Sequence, residues 1–556
     1  AQLLVNFSST TEGKAVFVSH QWVELENPDP DFRQLRVLQE ALKHLTVEVP
    51  QIPLDVVTEA FIPSARPLDS KTLFAQTLYI WYDYFSVPQS VENAWHSEGY
   101  LAKAIRSIPA YVAKCAFFMA LCPVIDTKAG RVLTPATWGR RGWCRLERAC
   151  RELSANGTWV LIQGKTRMQL LGTPLAFPAG PIGEGDFSVD EDRVKLAPVL
   201  REALAQRLRT FLKSGDLVSY RALLNLQGFY LRGLPAEPAT DFVPGFEKKE
   251  ADGSFPLVDR FLYQNGFNTA HDADAAGLTP LYCAALAGNT ALIDDLLKLR
   301  ADINSRSKKA LPRFSLIPQM SALDMCTFFR HTDAARLLLA HGSKTQGPMG
   351  SCIVVASSEN NPQGVRMLLD SGSSPLATNL FGTSALESAC AQGSLAALEE
   401  LLTTGALGPL ELSRALVEAG CSRGCSVELV ERLPELRADV NHQFDSRRYS
   451  KLGRTFFAVK SFQHRVGRST ALTAISYHKH GLTPLMAAVL TGQYDGAAAL
   501  IAAGARLDLR NCRNWTAADF AEGEGIPNFL SQGLKGQPAE CEKVRELAMQ
   551  ARLLHL

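Results

Sequence analysis

The segment GLTPLYCAALAG at residues 277–288 decides the fold of the C-terminal half, because GLTPLMAAVLTG at residues 481–492 nearly duplicates it. In each copy a Thr-Pro pair precedes an alanine-rich run that ends at glycine. Threonine caps helix N-termini, proline is tolerated at the first helical position, and glycine commonly follows a helix end. Each copy therefore predicts a short helix whose small side chains let it pack closely on its neighbours.

A second helix completes each copy, which finishes as Arg300-Ala301-Asp302-Ile303-Asn304 in one case and Gly504-Ala505-Arg506-Leu507-Asp508 in the other. This unit resembles the ankyrin repeat, whose period is about 33 residues. Weaker copies lie at 321–342, 350–372, 382–405 and 414–441, and a shortened one begins at Asn514. One repeat cannot cover its own apolar face, so an all-α ankyrin-repeat solenoid is expected. The resemblance implies that this stack binds protein partners.

The segments around the repeats complete the predicted domain organisation. The repeat domain spans 255–532, and its basic insert, 447–477, is expected to project as a loop that is either solvated or bound to an acidic partner. A C-terminal helix is expected at 533–556. On the other side, 166–233 should hold a connecting loop and helices packed on the first domain, and 234–254, where Pro, Glu and Asp collect, is a linker.

Apolar runs alternate with amphipathic helices in the first part of the chain. The runs lie at 15–18, 78–82, 115–121 and 159–162, with helices predicted between them at 31–45, 104–112 and 141–153. This alternation predicts an α/β domain at 13–165 whose parallel sheet is covered on both faces. Such sheets bind ligands at the carboxyl ends of their strands. The polar residues that follow two strands are therefore candidate binding residues: Ser19, His20, Gln21, Trp22, and Asp83 at the start of a stretch reaching Gln89.

The helix at 141–153 brings a carboxylate toward the same region. An apolar stripe of Trp143, Leu146, Cys150 and Leu153 runs along it, and Glu147 lies beside that stripe, one turn beyond Trp143. The carboxylate and the indole can therefore line one wall of a cleft. The alternative is an exposed Glu147–Arg151 ion pair at i, i+4, worth only about a few tenths of a kcal/mol.

Two motifs in this domain resemble a known family. Phe17-Val18-Ser19 is similar to the first strand of Toll/interleukin-receptor (TIR) domains, and Trp143-Cys144-Arg145-Leu146-Glu147 is similar to their Trp-Cys-x-x-Glu helix. The segments 81–89 and 141–147 are also similar to fungal heterokaryon-incompatibility domains. The resemblance implies a flavodoxin-like parallel sheet. His20-Gln21-Trp22 departs from the aromatic-Arg-Gly often found in TIR domains, and Arg141 stands where many carry Ser.

Many TIR domains cleave NAD⁺ at the nicotinamide–ribose bond and use the Glu of that helix as the catalytic residue. The resemblance therefore implies Glu147 as the catalytic carboxylate, with the strand-end residues and Trp143 around the nucleotide. NAD⁺ would be the substrate, and no cofactor is implied. Cleavage builds positive charge on the ribose, which a fixed carboxylate stabilises. Other TIR domains only assemble with one another, so a non-catalytic, self-associating module is the alternative.

The composition argues against several other classes of protein. Lys+Arg 58 and Asp+Glu 56 leave a formal charge of +2, which gives no electrostatic reason to expect nucleic acid or a membrane as partner. The longest apolar run, 115–125, falls short of the roughly 20 residues that span a bilayer. The 12 cysteines are scattered, which favours a reduced, cytoplasmic protein. Cys421 and Cys425 lack further ligands nearby, so no metal site is predicted. An intracellular signalling or defence protein is expected.

Overall fold

The computed structural model describes residues 5–8, 10–24, 27–87, 99–128, 130–177, 179–247 and 255–553. The N-terminal half is an α/β unit. Its strands are β1 (Lys14–His20), β2 (Gln51–Ile52), β3 (Leu68–Asp69), β4 (Leu78–Tyr82), β5 (Phe117–Leu121), β6 (Ile125–Asp126), β7 (Val132–Leu133), β8 (Trp159–Ile162) and β9 (Met168–Leu171). Its helices are α1 (Arg33–Val47), α2 (Val56–Phe61), α3 (Ser70–Phe74), α4 (Asp83–Ser86), α5 (Tyr100–Lys114), α6 (Pro135–Arg140), α7 (Gly142–Leu153), α8 (Asp192–Ser214) and α9 (Leu217–Leu231).

The main sheet has five strands in the order β4-β1-β5-β8-β9. The first four are parallel, and Phe17 of β1 lies opposite both Trp81 of β4 and Phe118 of β5. β9 runs antiparallel to β8, so the sheet is mixed and the prediction of an entirely parallel sheet is wrong for this strand. Only residues 163–167 join the two strands, which suits a hairpin and is too short for the crossover that a parallel pair needs. β9 also lies beyond the predicted domain boundary at 165.

Alternate residues along each strand fill two separate apolar cores. Phe17, Phe118 and Leu161 face one side of the sheet, where α5, α7 and α8 pack. Val18 and Met119 face the other side, together with residues of α1. Both faces of these strands are buried, which is why their sequences read as continuous apolar runs. The covered sheet leaves its strand ends as the place where polar side chains can meet.

The C-terminal half is the predicted ankyrin-repeat solenoid of paired helices, preceded by α10 (Pro256–Asn265). The pairs are α11 (Pro280–Ala287) with α12 (Thr290–Lys298), α13 (Ala322–Phe328) with α14 (Thr332–Ala340), α15 (Cys352–Ser358) with α16 (Pro362–Asp370), α17 (Ala385–Gln392) with α18 (Leu395–Leu402), α19 (Pro409–Cys421) with α20 (Val427–Glu435), and α23 (Pro484–Thr491) with α24 (Tyr494–Ala502). The remaining elements are β10 (Gln346–Gly347), β11 (Gly350–Ser351), α21 (Lys451–Arg465), α22 (Ala471–His478), α25 (Asn528–Leu534) and α26 (Ala539–Leu553). Among the described residues, no helix is both long and apolar enough to cross a membrane.

The two near-identical segments form helices for the reasons that their sequences indicate. Thr279 Oγ1 accepts a hydrogen bond from the backbone N–H of Tyr282, and Thr483 Oγ1 caps α23 in the same way, both at 3.2 Å. Gly288 and Gly492 end the two helices in the left-handed region, with φ of 66° and 78°. A side chain with a Cβ is strained in that conformation, so glycine is required where each helix stops.

The basic insert does not project as a loop, which corrects the expectation for 447–477. It folds into α21 and α22, which pack against each other. Ser450 caps α21, and its Phe457 ring stacks on Tyr449 at 4.6 Å between centroids. Lys460 on the same helix places its Nζ 2.7 Å from Glu59 Oε1 of α2; the Glu59 side chain is buried and that of Lys460 is largely shielded. Aromatic burial and this ion pair hold the segment against the rest of the molecule.

The α/β unit and the repeats share one continuous apolar core. Several of the polar contacts between them come from the turns that join the two helices of a repeat. Gln163 Nε2 donates to the Gly492 carbonyl at 2.8 Å. The partly buried Arg423 donates from its guanidinium to the Ala176 carbonyl and to Gln169 Oε1, each at 2.8 Å. The solenoid is therefore packed on the β9 edge of the sheet.

Candidate functional site

The candidate site lies where β1 and β4, neighbours in the sheet, reach their carboxyl ends. His20 is the last residue of β1, and Asp83 follows β4 as the first residue of α4. His20 Nε2 lies 2.8 Å from Asp83 Oδ1, and the Trp22 indole N–H donates to Asp83 Oδ2, also at 2.8 Å. Parallel strands bring their ends to one edge, so residues 63 positions apart meet there.

Asp83 is held in its charged form by these neighbours. Burial raises the pKa of its carboxyl, but the nearby His20 and the hydrogen bonds from His20, Trp22 and the Tyr84 N–H outweigh that effect and leave the pKa below its usual value. About a third of the side chain, 30%, remains exposed. The site therefore carries one carboxylate that solvent or a ligand can reach.

Ser19 and Glu147 form the second part of the site. Ser19 is fully buried, and its Oγ accepts a hydrogen bond from the Trp138 indole N–H at 3.0 Å. Hydrogen bonding from the Ser19 hydroxyl lowers the pKa of the Glu147 carboxyl, which indicates that the two groups are neighbours. Glu147, on α7, is thus tied to the end of β1, next to Asp83.

The Glu147 carboxyl keeps its proton at neutral pH. Burial among protein atoms is the largest influence and raises the pKa from 4.5 to about 8, against the Ser19 hydrogen bond, while the charge of Asp83 adds to the rise. The residue as a whole is nevertheless partly exposed. A carboxyl group that is poorly solvated but reachable from one side is poised to ionise when a positive charge approaches.

The alternative of an exposed Glu147–Arg151 ion pair is excluded by the geometry of α7. Arg151 is buried, and its guanidinium donates to the carbonyl groups of Cys115, Ala116 and Thr158 at 2.8–3.0 Å. It therefore stabilises the starts of β5 and β8 instead of neutralising the carboxylate.

Other sequence-predicted residues lie apart from this cluster or hold the surrounding structure in place. The Trp143 indole N–H donates to Asp192 Oδ2 of α8 at 2.9 Å, so it anchors α8. Gln21 is buried: its Nε2 donates to the Thr134 carbonyl at 3.1 Å, and its own carbonyl accepts from Gln34 at 2.8 Å. Of the stretch that begins at Asp83, Pro88 and Gln89 lie outside the described residues. The structure brings together Ser19, His20, Trp22, Asp83 and Glu147.

Two aromatic residues of the site were missed by sequence reasoning. Trp138 lies 119 positions from Ser19 in the sequence, and nothing in its local pattern points to the hydrogen bond between the two side chains. The Tyr82 ring stacks on His20 at 4.2 Å between centroids, and its buried hydroxyl finds no hydrogen-bond partner in the described part of the chain. Burial, with Asp29 and Asp83 nearby, strongly raises the pKa of that hydroxyl. The signal available in the sequence for Tyr82 was its position as the last residue of an apolar strand.

Two clefts in the structure lie on the repeats and not at this cluster. One, of about 440 Å³, is lined by Leu339, Ser371 and residues 342–346, next to the short hairpin of β10 and β11. The other, of about 340 Å³, is lined by residues around Phe444, His480 and Asn511. The Glu147 cluster and these two clefts are therefore separate features.

Comparison with known proteins identifies the repeats. The ankyrin repeat family matches residues 276–308 and 480–512. A transient receptor potential cation channel, subfamily A member 1, of Homo sapiens is 24% identical over 159 residues, which are 28% of this chain and 13% of the channel. The chain thus spans only a small part of that relative.

Two solved structures are similar to the chain, both at 20% identity. The human ASB11 ankyrin repeat domain covers 47% of this chain and 97% of its own length, with a TM-score of 0.33. The ankyrin repeat domain of Bcl-3, a member of the IkappaB protein family, covers 46% and 98%, with a TM-score of 0.31. Ankyrin repeats are protein-interaction modules, and the prediction of such repeats is confirmed.

Proposed function

We propose that the α/β unit is a TIR-like enzyme that hydrolyses NAD⁺ at the nicotinamide–ribose bond, and that the ankyrin repeats bind protein partners. The observation that carries the proposal is the position of the Glu147 carboxyl beside the Ser19 hydroxyl and Asp83, at the carboxyl end of β1. Glu147 is the proposed catalytic residue. Ser19, His20, Trp22 and Asp83 would surround the substrate, whereas Trp143 would act only by anchoring α8.

The order of the strands supports a TIR-like, flavodoxin-like assignment. Counted along the chain, the five strands of the main sheet follow the order 2-1-3-4-5, which is the flavodoxin-like order of doubly wound sheets. Ligands of this class bind at the switch point between the first and third strands. Those strands are β1 and β5, and Ser19 and His20 lie on β1 at that position. The antiparallel β9 is a departure from the class.

The chemistry follows from the charge of the substrate. The nicotinamide ring of NAD⁺ is cationic, and a cation next to Glu147 favours its ionised form, so substrate binding would release the carboxyl proton to solvent. As the bond breaks, its electron pair leaves with nicotinamide and the positive charge moves to the ribose. The Glu147 carboxylate stabilises that charge. Water then adds its oxygen to the ribose carbon and loses a proton, which gives nicotinamide and ADP-ribose.

Release of nicotinamide by the full chain, alone and after clustering, tests this proposal. Glu147→Ala should lower the rate by about 10²-fold or more, because one charge-stabilising group is lost. Glu40→Ala, at an exposed position of α1, is the matched control and should keep the wild-type rate. The value of kcat/KM, which reflects the free enzyme, should rise with pH toward about 8, since only the ionised carboxylate is active. Equal rates for Glu147→Ala and wild type would end the assignment.

A second candidate function is a non-catalytic assembly module that associates with further copies, with the repeats as a scaffold. The closed packing around Ser19, whose hydroxyl is buried, favours this alternative, as does the location of the two clefts on the repeats. In that case the chain should self-associate in sedimentation experiments, the Glu147→Ala variant should do so equally, and no nicotinamide should be released. Turnover that depends on Glu147 would refute it.

The repeats have one side occupied within the molecule, which limits where protein partners could bind. The turns between paired helices contact the α/β unit through Arg423 and Gly492. The opposite side carries the loops that precede the first helices, including the cleft at 342–346. We place the partner surface on that side, which leaves the α/β contacts intact.

A further inference from the structure

Helix α21 and Val466, the residue that caps its C-terminus, carry a row of exposed apolar side chains, which we call the apolar seam. Its members are Leu452, Val459, Phe462 and Val466, with exposures of 48%, 51%, 62% and 64%. Their spacings of seven, three and four residues place them on one face of the helix. Other large exposed apolar side chains of the described residues are distributed among many elements, whereas these four line a single helix. Contiguous exposed apolar surface commonly marks an interaction site.

The segment around the seam has an extreme charge. Residues 447–480 contain eight Lys and Arg residues and no Asp or Glu. Half of these cations are neutralised by carboxylates from elsewhere in the chain, through the ion pairs Arg447–Asp445, Arg448–Glu387, Lys460–Glu59 and Lys479–Glu418. The other four cations are exposed, and no carboxylate of the described ranges forms an ion pair with them. They are Lys451, Arg454, Arg465 and Arg468.

These exposed cations flank the seam. At 100° per residue, Lys451, Arg454 and Arg465 lie along one edge of the row, and Arg468 follows shortly after the end of the helix, near Val466. The basic residues that face inward, Arg448, Lys460 and Lys479, are thus paired, and the ones that border the apolar row are not. A row of apolar residues bordered by unpaired positive charge is complementary to a partner that has both apolar and acidic groups.

We propose that the apolar seam of α21 binds an acidic amphipathic helix of a partner protein. Spacings of seven, three and four are those of the a and d positions in a helix-to-helix seam. A helix that lies in a membrane surface presents a wider apolar face. Here Phe456 and Phe457 cannot widen it, because they pack inward against Phe381 and Tyr449. A narrow row matches the width of a partner helix.

A contact of this size should give weak and salt-sensitive binding. Four apolar side chains on about four helical turns form an interface at or below the low end for specific complexes, roughly 1,200 Å² in total. We therefore expect dissociation constants in the micromolar range. The exposed cations contribute through attraction that salt screens, since the Debye length falls to about 8 Å near 0.15 M ionic strength. Binding should weaken several-fold when salt is raised.

Fluorescence anisotropy with the full chain tests the proposal. The probe is a labelled acidic peptide of about three heptads, with leucine at a and d and glutamate at the flanking positions. Wild type should bind it, and both Val459→Ser/Phe462→Ser and Arg465→Glu/Arg468→Glu should weaken binding by about tenfold or more. The matched control, Arg201→Glu/Lys213→Glu on α8, makes the same change of net charge at exposed positions. It should bind as wild type does.

Three outcomes would overturn the proposal. Equal affinity of the seam double variant and wild type would show that the apolar row is not the binding surface. An equal loss of binding in the α8 control would show that the effect comes from net charge alone. Failure of the peptide to bind, with co-sedimentation of the protein on phosphatidylserine-containing vesicles, would assign the surface to an anionic membrane. Thermal unfolding checks that each variant is folded, and the charge variant, which alters only exposed side chains, gives a second line of evidence.

Discussion

Replacement of Glu147 by Gln should stabilise the protein, and by an amount that depends on pH. In the folded chain the carboxyl pKa is raised from 4.5 to about 8, chiefly by burial. An unfolded chain releases that proton near its ordinary pKa. Unfolding therefore releases a proton at any pH between these values, and the free energy of unfolding of wild type falls as pH rises across this window. Glutamine carries no such proton, so the free energy of unfolding of Glu147→Gln does not show this decrease with pH.

The size of the effect follows from the shift. A pKa change from 4.5 to about 8 corresponds to at most about 5 kcal/mol between the two ends of the window. The side chain is partly exposed, so solvent screening reduces this value, and about 1–3 kcal/mol is expected. The difference between variant and wild type should be near its minimum at about pH 4.5 and should reach its full value at about pH 8.5.

Urea unfolding of the full chain at several pH values measures the difference. Other buried carboxyl groups, such as Glu152, also have a raised pKa, but they are common to both proteins and cancel in the comparison. Glu40→Gln, at an exposed position on α1, is the control and should show no trend with pH. A difference for Glu147→Gln that is independent of pH, or that shrinks as pH rises, would refute the assignment of a protonated, poorly solvated carboxyl group.

Three further changes probe the contacts that frame the site and join the two halves. Trp138→Phe removes the indole N–H that donates to Ser19 and should lower stability by about 1–2 kcal/mol in thermal unfolding; an unchanged midpoint would exclude a native hydrogen bond there. Lys460→Met leaves Glu59 buried without its cation and should cost about 3 kcal/mol, much of which a second change, Glu59→Gln, should recover in a double-mutant cycle. Arg423→Leu should cost about 2–4 kcal/mol and increase hydrogen exchange in β9, whereas unaltered exchange would show that the turn does not hold the sheet edge.

Several strands could be predicted because their surroundings require a uniformly apolar sequence. β1, β5 and β8 lie inside the sheet and are covered on both faces, so their sequences are apolar runs. β4 is an edge strand with Ile80 exposed, and its sequence is nevertheless an apolar run. β9 is only four residues long, includes Gln169 and follows a polar turn, which leaves no run to recognise. The insert was misjudged for a related reason. Its many cations suggested solvation, while the carboxylates that pair with Lys460 and Arg448 come from distant parts of the chain.

The candidate site was predictable where sheet geometry alone brings residues together. His20 and Asp83 follow adjacent parallel strands, so their meeting follows from topology. Glu147 was selected through the resemblance to TIR domains, and helix periodicity left its surroundings open. Whether the Trp143 indole faced the cleft or α8 depended on Asp192, which is 49 positions away. Tertiary partners of that kind leave no trace in local sequence.

The shared core has a consequence for how the chain is made. Gln163 hydrogen-bonds to Gly492, which is synthesised 329 positions later, and Glu59 pairs with Lys460, which is synthesised 401 positions later. At about 5–20 residues per second, a ribosome leaves the sheet edge uncovered for on the order of 20–80 s before its covering repeats emerge. During that interval the apolar surface that the repeats later bury is exposed and can associate with other nascent chains. Chaperones that shield the first half should therefore govern the yield, and messages truncated before the last repeats should give aggregated product.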